Sequence, residues 1–281
     1  MNNTIDAIKL SSDLIKIKSV TPKVGKTIDI IKSKLEKLNF KCEKLVFGKG
    51  EEKVENLYAR LGSKKPNLCF AGHVDVVPAG NIDDWSFEPF SGKVENKMIL
   101  GRGAVDMKSS IACFISAVSH YLSKQSSFLD KGSLSFLITG DEEGKAINGS
   151  KKVVEWLKKN KEEIAGCILG EPTNPNNLGE MIKIGRRGSY SGDLVVYGIQ
   201  GHVGYPHLAD NPINKILKMI EPLTKVSLDE GTVDFEPSTV MITSIDVGNF
   251  SYNVIPSKVS LKFNVRFNNL HSSDSITKML K

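Results

Sequence analysis

The amino-acid sequence predicts an α/β protein, with a mixed sheet flanked by helices in the first part of the chain and a smaller α+β unit after it. Over the first 180 residues, short apolar runs typical of buried strands alternate with segments of helical periodicity. Beyond residue 181, longer strands of alternating polarity surround a single helix. We therefore place a boundary near residue 180, which divides the chain into domains of residues 1–180 and 181–281.

Periodicity and turn-forming residues predict the elements of the first domain. Apolar positions at helical spacing predict one helix from Ile5 to Ile15 and a second from Ile28 to about Asn39. Two strand-like runs follow, separated by the turn-forming sequence Gly-Ser-Lys-Lys-Pro. In chain order, the further predictions are strands 56–61 and 67–72, helix 109–122, strand 132–139, a helical region from 141 to about 159, and strand 167–170.

The second domain has a different pattern, in which the strands are longer. The predicted elements are strands 189–198, 239–246 and 259–267 and a helix over 211–225. Hydrophobic residues make up 40% of the 281 residues, which is enough apolar material for a sizeable core. We find no internal repeat and no low-complexity tract.

Charge and composition argue against a nucleic-acid partner and are compatible with a small anionic substrate. The net charge of +6 comes from lysines spread along the whole chain without a long basic run. Aromatic residues make up 7% and are not interleaved with basic ones, so we expect no nucleic-acid partner. A small anionic substrate fits the mild positive balance.

The cysteines and the N-terminus indicate a cytoplasmic protein. The four cysteines lie far apart, mostly in apolar runs, and are predicted to be buried reduced thiols of a reducing compartment. The N-terminal segment is polar and helix-periodic, without the apolar core of a signal peptide. No stretch approaches the roughly 20 apolar residues that span a bilayer, so we expect no membrane partner.

Acidic and histidine side chains stand where the predicted strands end. The four groups are His73 with Asp75, Asp106, Glu142 with Glu143, and Glu171. A carboxylate at the edge of a core is costly unless it is paired or binds a metal, so four such groups indicate a site. One imidazole with several carboxylates and no thiolate suits zinc, manganese or cobalt at a hydrolytic two-metal centre.

Residue chemistry also suggests roles within this site. Asp106 is suited to bridging two cations because one carboxylate offers two oxygens. His73 and Asp75 lie on one face of an extended segment, so Asp75 can accept a hydrogen bond from the imidazole. Glu142 and Glu143 point in different directions, which permits one metal ligand and one general base.

Six strings in the sequence carry a family resemblance. They are GHVDVVPAG (72–80), WSFEPFSGKVENKMILGRGAVDMK (85–108), GDEEG (140–144), GEPT (170–173), GRRGSYSGDLVVYGIQGHVGYPHLADNP (185–212) and NVIPSK (253–258). Together, from the first helix to about residue 268, they resemble the M20 metallopeptidase family. Within it they are similar to enzymes that hydrolyse N-succinyl-LL-diaminopimelate to succinate and LL-diaminopimelate, in lysine and diaminopimelate biosynthesis.

The resemblance implies a zinc-peptidase-like catalytic domain and a ferredoxin-like insert that forms a homodimer and a lid. It assigns His73 and Glu171 to one zinc, Asp106 to the bridge, Glu143 to the other zinc, Glu142 to the base, and Asp75 to orienting His73. Cobalt or manganese are implied as substitutes for the two zinc ions. A cis peptide is implied between Asp106 and Met107.

The resemblance also implies roles in the second domain. His202 would reach into the partner subunit's site and stabilise the tetrahedral oxyanion. Arg186, Asn253 and Arg266 would hold the carboxylates of the substrate.

Members of the family continue for roughly another hundred residues and supply a late histidine, by the same resemblance. We therefore expect this chain to lack part of its catalytic domain and to bind the second metal weakly. Two alternatives stay open: an acetylornithine deacetylase or another M20 aminoacylase or peptidase, and an inactive fragment that retains only dimerisation.

Overall fold

The computed structural model describes residues 4–124 and 130–281. Contacts divide the chain into two compact units, Met1–Asn176 and Asn177–Lys281. The division falls four residues before the boundary placed from the sequence. No helix in the described ranges is long and apolar enough to cross a membrane.

A five-stranded mixed sheet forms the centre of the first unit. Its strands are β1 (Lys41–Phe47), β2 (Val54–Leu61), β3 (Asn67–His73), β6 (Ser133–Thr139) and β7 (Gly166–Leu169), and a hairpin of β4 (Lys93–Glu95) and β5 (Met98–Leu100) stands apart. The order across the sheet is β1-β2-β6-β3-β7. The pairs β6–β3 and β3–β7 are parallel, while β1–β2 and β2–β6 are antiparallel. The mixed sheet predicted from the sequence is confirmed.

Helices cover both faces of this sheet. They are α1 (Ala7–Ile15), α2 (Thr27–Glu36), α3 (Ser109–Lys124) and α4 (Ser150–Lys159). The main core packs α1, α2 and α3 against one face, where Phe70 and Phe136 are buried. Cys69 and Leu137, the alternate residues of the same strands, pack with α4 in a second cluster. This alternation explains why the central strands are apolar on both faces.

The second unit is built on a three-stranded antiparallel sheet. Its elements are β8 (Gly188–Tyr197), β9 (Gly201–His202), α5 (Pro212–Lys225), β10 (Thr239–Asp246), β11 (Val254–Ile255), β12 (Lys258–Phe267) and α6 (Ser273–Leu280). The order is β10-β12-β8, and β9 pairs separately with β11. Ile216 of α5 packs on Val259 and Leu261 of β12, so α5 covers one face of the sheet.

Most predicted bounds agree with the structure to within two or three residues, although the short strands β4, β5, β9 and β11 were not predicted. The sequence does not predict strand β1, because its charged residues interrupt the apolar pattern. Only Leu45 of this outer strand is buried. The helical region predicted from residue 141 is wrong, since α4 begins at Ser150. The prediction of buried cysteines is wrong for Cys113 and Cys167, which are exposed.

Candidate metal centre

Strand order brings the predicted ligands to one edge of the sheet. His73 ends β3, Glu142 and Glu143 come soon after β6, and Glu171 follows β7. Because β6, β3 and β7 are parallel neighbours, their carboxyl ends lie at the same edge. Asp106 joins them from the turn that precedes α3, where the peptide to Met107 is cis, as the resemblance implies.

The imidazole of His73 is the centre of this group. Its Nε2 lies 2.9 Å from Asp106 Oδ1, 3.5 Å from Glu171 Oε1 and 3.9 Å from Glu142 Oε2. The ring is almost fully buried, with 1% of the residue exposed. Its Nδ1 lies 2.9 Å from the backbone carbonyl of Asp75, to which it donates, so Nε2 is the nitrogen left for a metal.

Two overlapping sets of donor atoms have metal-binding dimensions. His73, Asp106 and Glu143 offer ligand atoms within 4.8 Å of one another, and so do His73, Glu142 and Glu171. Glu142 therefore has the reach of a ligand as well as of a base. All five predicted side chains therefore lie close together. The distances do not decide which of Glu142 and Glu143 is the metal ligand and which is the base, so this assignment rests on the resemblance.

Asp75 contacts this site differently from the sequence prediction. Its carboxylate Oδ1 is 3.6 Å from His73 Nδ1, farther than the carbonyl of the same residue. The carboxylate instead accepts backbone N–H groups, from Glu142 at 3.2 and 3.1 Å and from Glu143 at 3.0 Å. The buried Asp75 thus holds the imidazole of His73 through its carbonyl and the loop of the two glutamates through its carboxylate.

Asp141 is a buried residue to which sequence reasoning gave no role. Its carboxylate accepts the N–H groups of Ala146, Ile147 and Asn148, at 3.2, 2.9 and 3.0 Å. A β-carbon on Gly144 would lie 2.8 Å from Asp141 Oδ1, so the loop closes tightly around this carboxylate. The sequence signal that could have revealed it is the position of Asp141 between Gly140 and Gly144, since glycines beside an aspartate favour a turn over a helix.

Lys108 is a second buried charged residue to which the sequence gave no role. The side chain is fully buried, and Nζ donates to the carbonyls of Leu14 and Ile17 at 3.0 and 2.9 Å. Burial lowers the pKa of Lys108 to about 8, although the charge of Asp75 opposes the shift. Lys108 thereby ties the segment that carries Asp106 to the end of α1.

The electrostatics of the centre fit a bound cation. Burial raises the pKa of Glu142, and the neighbouring charges of Glu171, Asp75 and Asp106 add to the shift. Burial and the charge of Asp106 likewise raise the pKa of Glu143. Such mutual repulsion among carboxylates is relieved by a divalent metal. One imidazole nitrogen and several carboxylate oxygens form a donor set suited to zinc, manganese or cobalt.

His73 responds to the same charges in the opposite sense. Burial alone would lower the pKa of His73, but the contacts with Asp75 and Glu171 outweigh burial and raise it to about 11. The carboxylates thus favour a positive charge at the position where a metal would bind.

Two predicted residues of the second unit lie side by side. His202 pairs with Val254 between β9 and β11, and the N–H of Val203 donates to the carbonyl of Asn253 at 3.1 Å. The ring of His202 accepts the N–H of Gly204 at Nδ1, 3.0 Å away. In the neutral ring this bond puts the proton on Nε2, so Nε2 is a donor.

The two predicted arginines lie at one end of the three-stranded sheet, which is separate from the β9–β11 pair. Arg266 pairs with Ser189 of β8, and Arg186 precedes β8 by two residues. Lys258, at the end of β12 near β11, is eight residues from Arg266. That separation corresponds to about 26 Å of extended strand. Within one chain, the length of β12 therefore separates Arg186 and Arg266 from the end of the sheet that leads into β11.

Comparison with known proteins decides the family. The sequence model of the protein family described as Peptidase family M20/M25/M40 matches residues 69–275. The chain belongs to this family. A succinyl-diaminopimelate desuccinylase of Rhodospirillum centenum is 50% identical over 272 residues, covering 96% of this chain and 70% of the relative. Five other relatives of the same name are 47–51% identical.

Solved structures of M20 proteins share the fold. An M20 metallo-carboxypeptidase from Sulfolobus solfataricus matches with a TM-score of 0.73 at 19% identity, over 98% of this chain and 74% of that one. A dinuclear metal-binding M20 peptidase from Bacillus subtilis matches with a TM-score of 0.59 at 17% identity, over 98% and 67%. The M20 family is metal-dependent, with dinuclear sites among its members.

Proposed function

We propose that this chain hydrolyses N-succinyl-LL-diaminopimelate to succinate and LL-diaminopimelate, in lysine and diaminopimelate biosynthesis. The observation that carries the hydrolytic part is the convergence of His73, Asp106, Glu142, Glu143 and Glu171 at one sheet edge. The substrate follows from the name shared by the desuccinylase relatives.

The proposal includes two zinc ions per subunit, with cobalt or manganese as substitutes. By the family resemblance, His73 and Glu171 would hold one ion, Glu143 would hold the other, and Asp106 would be a ligand of both; all four residues belong to the two sets of donor atoms that lie within metal-binding distance. When bound, the metal polarises the scissile carbonyl and makes water a stronger acid. The carbonyl of Asp75 keeps His73 in the tautomer that leaves Nε2 available.

Glu142 moves the proton in this reaction. The Glu142 carboxylate takes a proton from the attacking water and passes it to the amide nitrogen as the C–N bond breaks, so that succinate and the free amine leave. Its raised pKa supports both steps, because a carboxylate of higher pKa is a stronger base and, once protonated, still a competent acid at neutral pH.

Substrate binding is proposed to need two subunits. His202 donates from Nε2 to the oxyanion, and Asn253, beside it, binds the substrate. Arg186 and Arg266 bind carboxylates of the substrate. The separation of these pairs along the sheet supports a homodimer in which each site takes one pair from each subunit. We place the enzyme in the cytoplasm.

The test is turnover by the purified 281-residue chain loaded with zinc. N-succinyl-LL-diaminopimelate and acetylornithine are compared as substrates, with zinc content measured on the same sample and Glu142→Gln as control. Preference for the succinyl substrate, lost in the variant, supports the proposal. Preference for acetylornithine would indicate the deacetylase alternative. A chain that forms dimers but neither holds zinc nor turns over would indicate a fragment without catalytic function.

A further inference from the structure

Two cysteines face each other across the strands that carry metal ligands. Cys69 of β3 and Cys167 of β7 are direct partners in the parallel register. Neighbouring strands lie about 4.8 Å apart, and disulfide-bonded cysteines have Cα atoms roughly 4.4–6.8 Å apart. Paired positions on adjacent strands also point to the same face of the sheet. The backbone therefore allows a disulfide here without a large movement.

The environments of the two thiols differ. Cys69 is fully buried in the cluster beneath α4, whereas Cys167 is exposed on the outer strand β7. The interaction with the neighbouring Cys69 thiol lowers the pKa of Cys167 to about 7. The interaction with Cys167, together with burial, raises the pKa of Cys69. Cys167 is thus the accessible nucleophile of the pair.

We propose that Cys69 and Cys167 are an oxidisable pair, which a hydroperoxide converts into a disulfide. The Cys167 thiolate attacks the peroxide O–O bond and becomes a sulfenic acid, and the leaving oxygen takes up a proton as water or an alcohol. The Cys69 thiol then attacks the sulfenic sulfur, the S–S bond forms, and the hydroxyl leaves as a second water. Two thiols are oxidised and one peroxide is reduced.

The pair is placed to affect the metal centre. His73 lies four residues after Cys69 on β3, and Glu171 lies four residues after Cys167 beyond β7. Their ligand atoms are 3.5 Å apart. A covalent bond between the strands fixes the spacing of these two side chains, so oxidation changes the affinity of the centre for zinc. The proposal for the thiols is independent of the substrate proposed above.

Thiol counting on the unfolded chain tests the pair directly. The reduced protein has four thiols, and treatment of the folded protein with hydrogen peroxide is expected to leave two. Peptide mapping should then find Cys69 linked to Cys167. Cys113→Ser serves as the matched control, because Cys113 is exposed but has no assigned cysteine partner, and this variant should still lose two thiols.

The two paired positions have distinct expected outcomes. Cys167→Ser should keep its three thiols, whereas Cys69→Ser should form a sulfenic acid at Cys167 that a cyclic-diketone probe captures. Circular dichroism checks that both variants fold. Disulfides to Cys42 or Cys113, or four thiols remaining after peroxide treatment, would overturn the proposal.

Calorimetric zinc titration tests the link to the metal centre. The dissociation constant of the oxidised chain should differ from that of the reduced chain, and Cys167→Ser should abolish the difference. Equal constants for the oxidised and reduced chains would overturn the coupling while leaving the disulfide itself standing on the thiol counts.

Discussion

Both side-chain oxygens of Asp75 accept the backbone N–H of Glu142, at 3.2 and 3.1 Å. One of them also accepts the N–H of Glu143, at 3.0 Å. A residue two positions after His73 on one strand therefore sets the backbone of the loop that follows another strand. The pKa of the Asp75 carboxyl is lowered, since the contact with His73 and these N–H groups outweigh the effect of burial. Asp75 thus stays ionised and keeps accepting.

Asp75→Asn tests this arrangement. The amide replaces an accepting oxygen by a donor that faces the N–H groups of Glu142 and Glu143, so the glutamate loop should shift. We expect kcat/KM and zinc affinity to fall by about 10–100-fold, as for other residues that support metal ligands. The control is Asp29→Asn, the same change at an exposed carboxylate of the first unit, which pairs with Lys44. If the Asp75→Asn variant were as active as the control, Asp75 would not be needed to position the glutamate loop.

Glu142→Gln and Glu143→Gln form a matched pair at adjacent positions. If Glu142 is the base, its variant should keep full zinc content while kcat falls by about 10²–10⁴-fold. If Glu143 is a ligand, its variant should lose part of the zinc. Metal analysis and kinetics on the same samples separate the two roles. The reverse pattern would exchange the assignments, which the overlapping donor sets allow geometrically.

The pH profile of kcat/KM gives an independent measure of Glu142. Burial is the largest cause that raises its pKa, and a base acts only when it is ionised. Activity should therefore fall on the acidic side at a pH above the ordinary value for glutamate, about 4.3. The profile is measured with saturating zinc, so that loss of metal does not set the acidic limb. A limb at or below the ordinary value would argue against Glu142 as the base.

The ligands could be predicted because strand ends and ligand positions coincide. His73 and Glu171 terminate runs that the sequence shows as apolar, and parallel pairing then brings them together. The loop after β6 could not be predicted in the same way. There the carboxylate of Asp141 binds three N–H groups, and this local network replaces the helix that the acidic sequence favoured.

Distances that depend on register could not be read from the sequence either. Asn253 precedes β11 and Arg266 lies near the end of β12, so the length of β12 stands between them although they are close in the chain. The pairing of Cys69 with Cys167 likewise follows from the order of the strands, since nearly one hundred residues separate them. Exposure of Cys167 depends on its place at the outer strand of the sheet, which the apolar run around it does not reveal.

Asp229 organises the second unit and gives that unit a separate acid response. Its carboxylate accepts N–H groups of Gly231 at 2.7 Å and of Asn268 at 2.6 Å, and His271 Nε2 lies 3.2 Å away. Although burial opposes the shift, hydrogen bonds from Ser238, Gly231 and Asn268 hold its pKa well below the usual range. A lowered pKa in the folded state stabilises the fold above the ordinary value of about 3.9, and this stability is lost as the pH falls below that value.

Asp229→Asn should therefore lower protection of the β8 and β12 amides from hydrogen exchange at pH 7. The difference between variant and wild type should shrink toward pH 3, because the wild-type carboxyl then begins to lose its advantage. Both tryptophans, Trp85 and Trp156, lie in the first unit, so their fluorescence is the internal control and should be unaffected. An equal difference at both pH values would contradict the assigned role.

Mixing two inactive variants tests whether His202 acts across a dimer. His202→Ala removes the proposed oxyanion donor and should lower kcat by about 10²–10³-fold with little change in KM. Glu142→Gln removes the proposed base of the other unit. After co-refolding, half of the dimers should be hybrids, and each hybrid should carry one site with both groups intact.

The mixture should then recover about a quarter of wild-type activity, as closed twofold symmetry requires. Each variant refolded alone supplies the baseline, and analytical ultracentrifugation checks that dimers form. A dimeric mixture that stays at the baseline would place His202 and Glu142 of one site in the same subunit. Because the length of β12 separates Arg266 from the end of the sheet that leads into β11, Arg266 of that site would then have to come from the partner subunit.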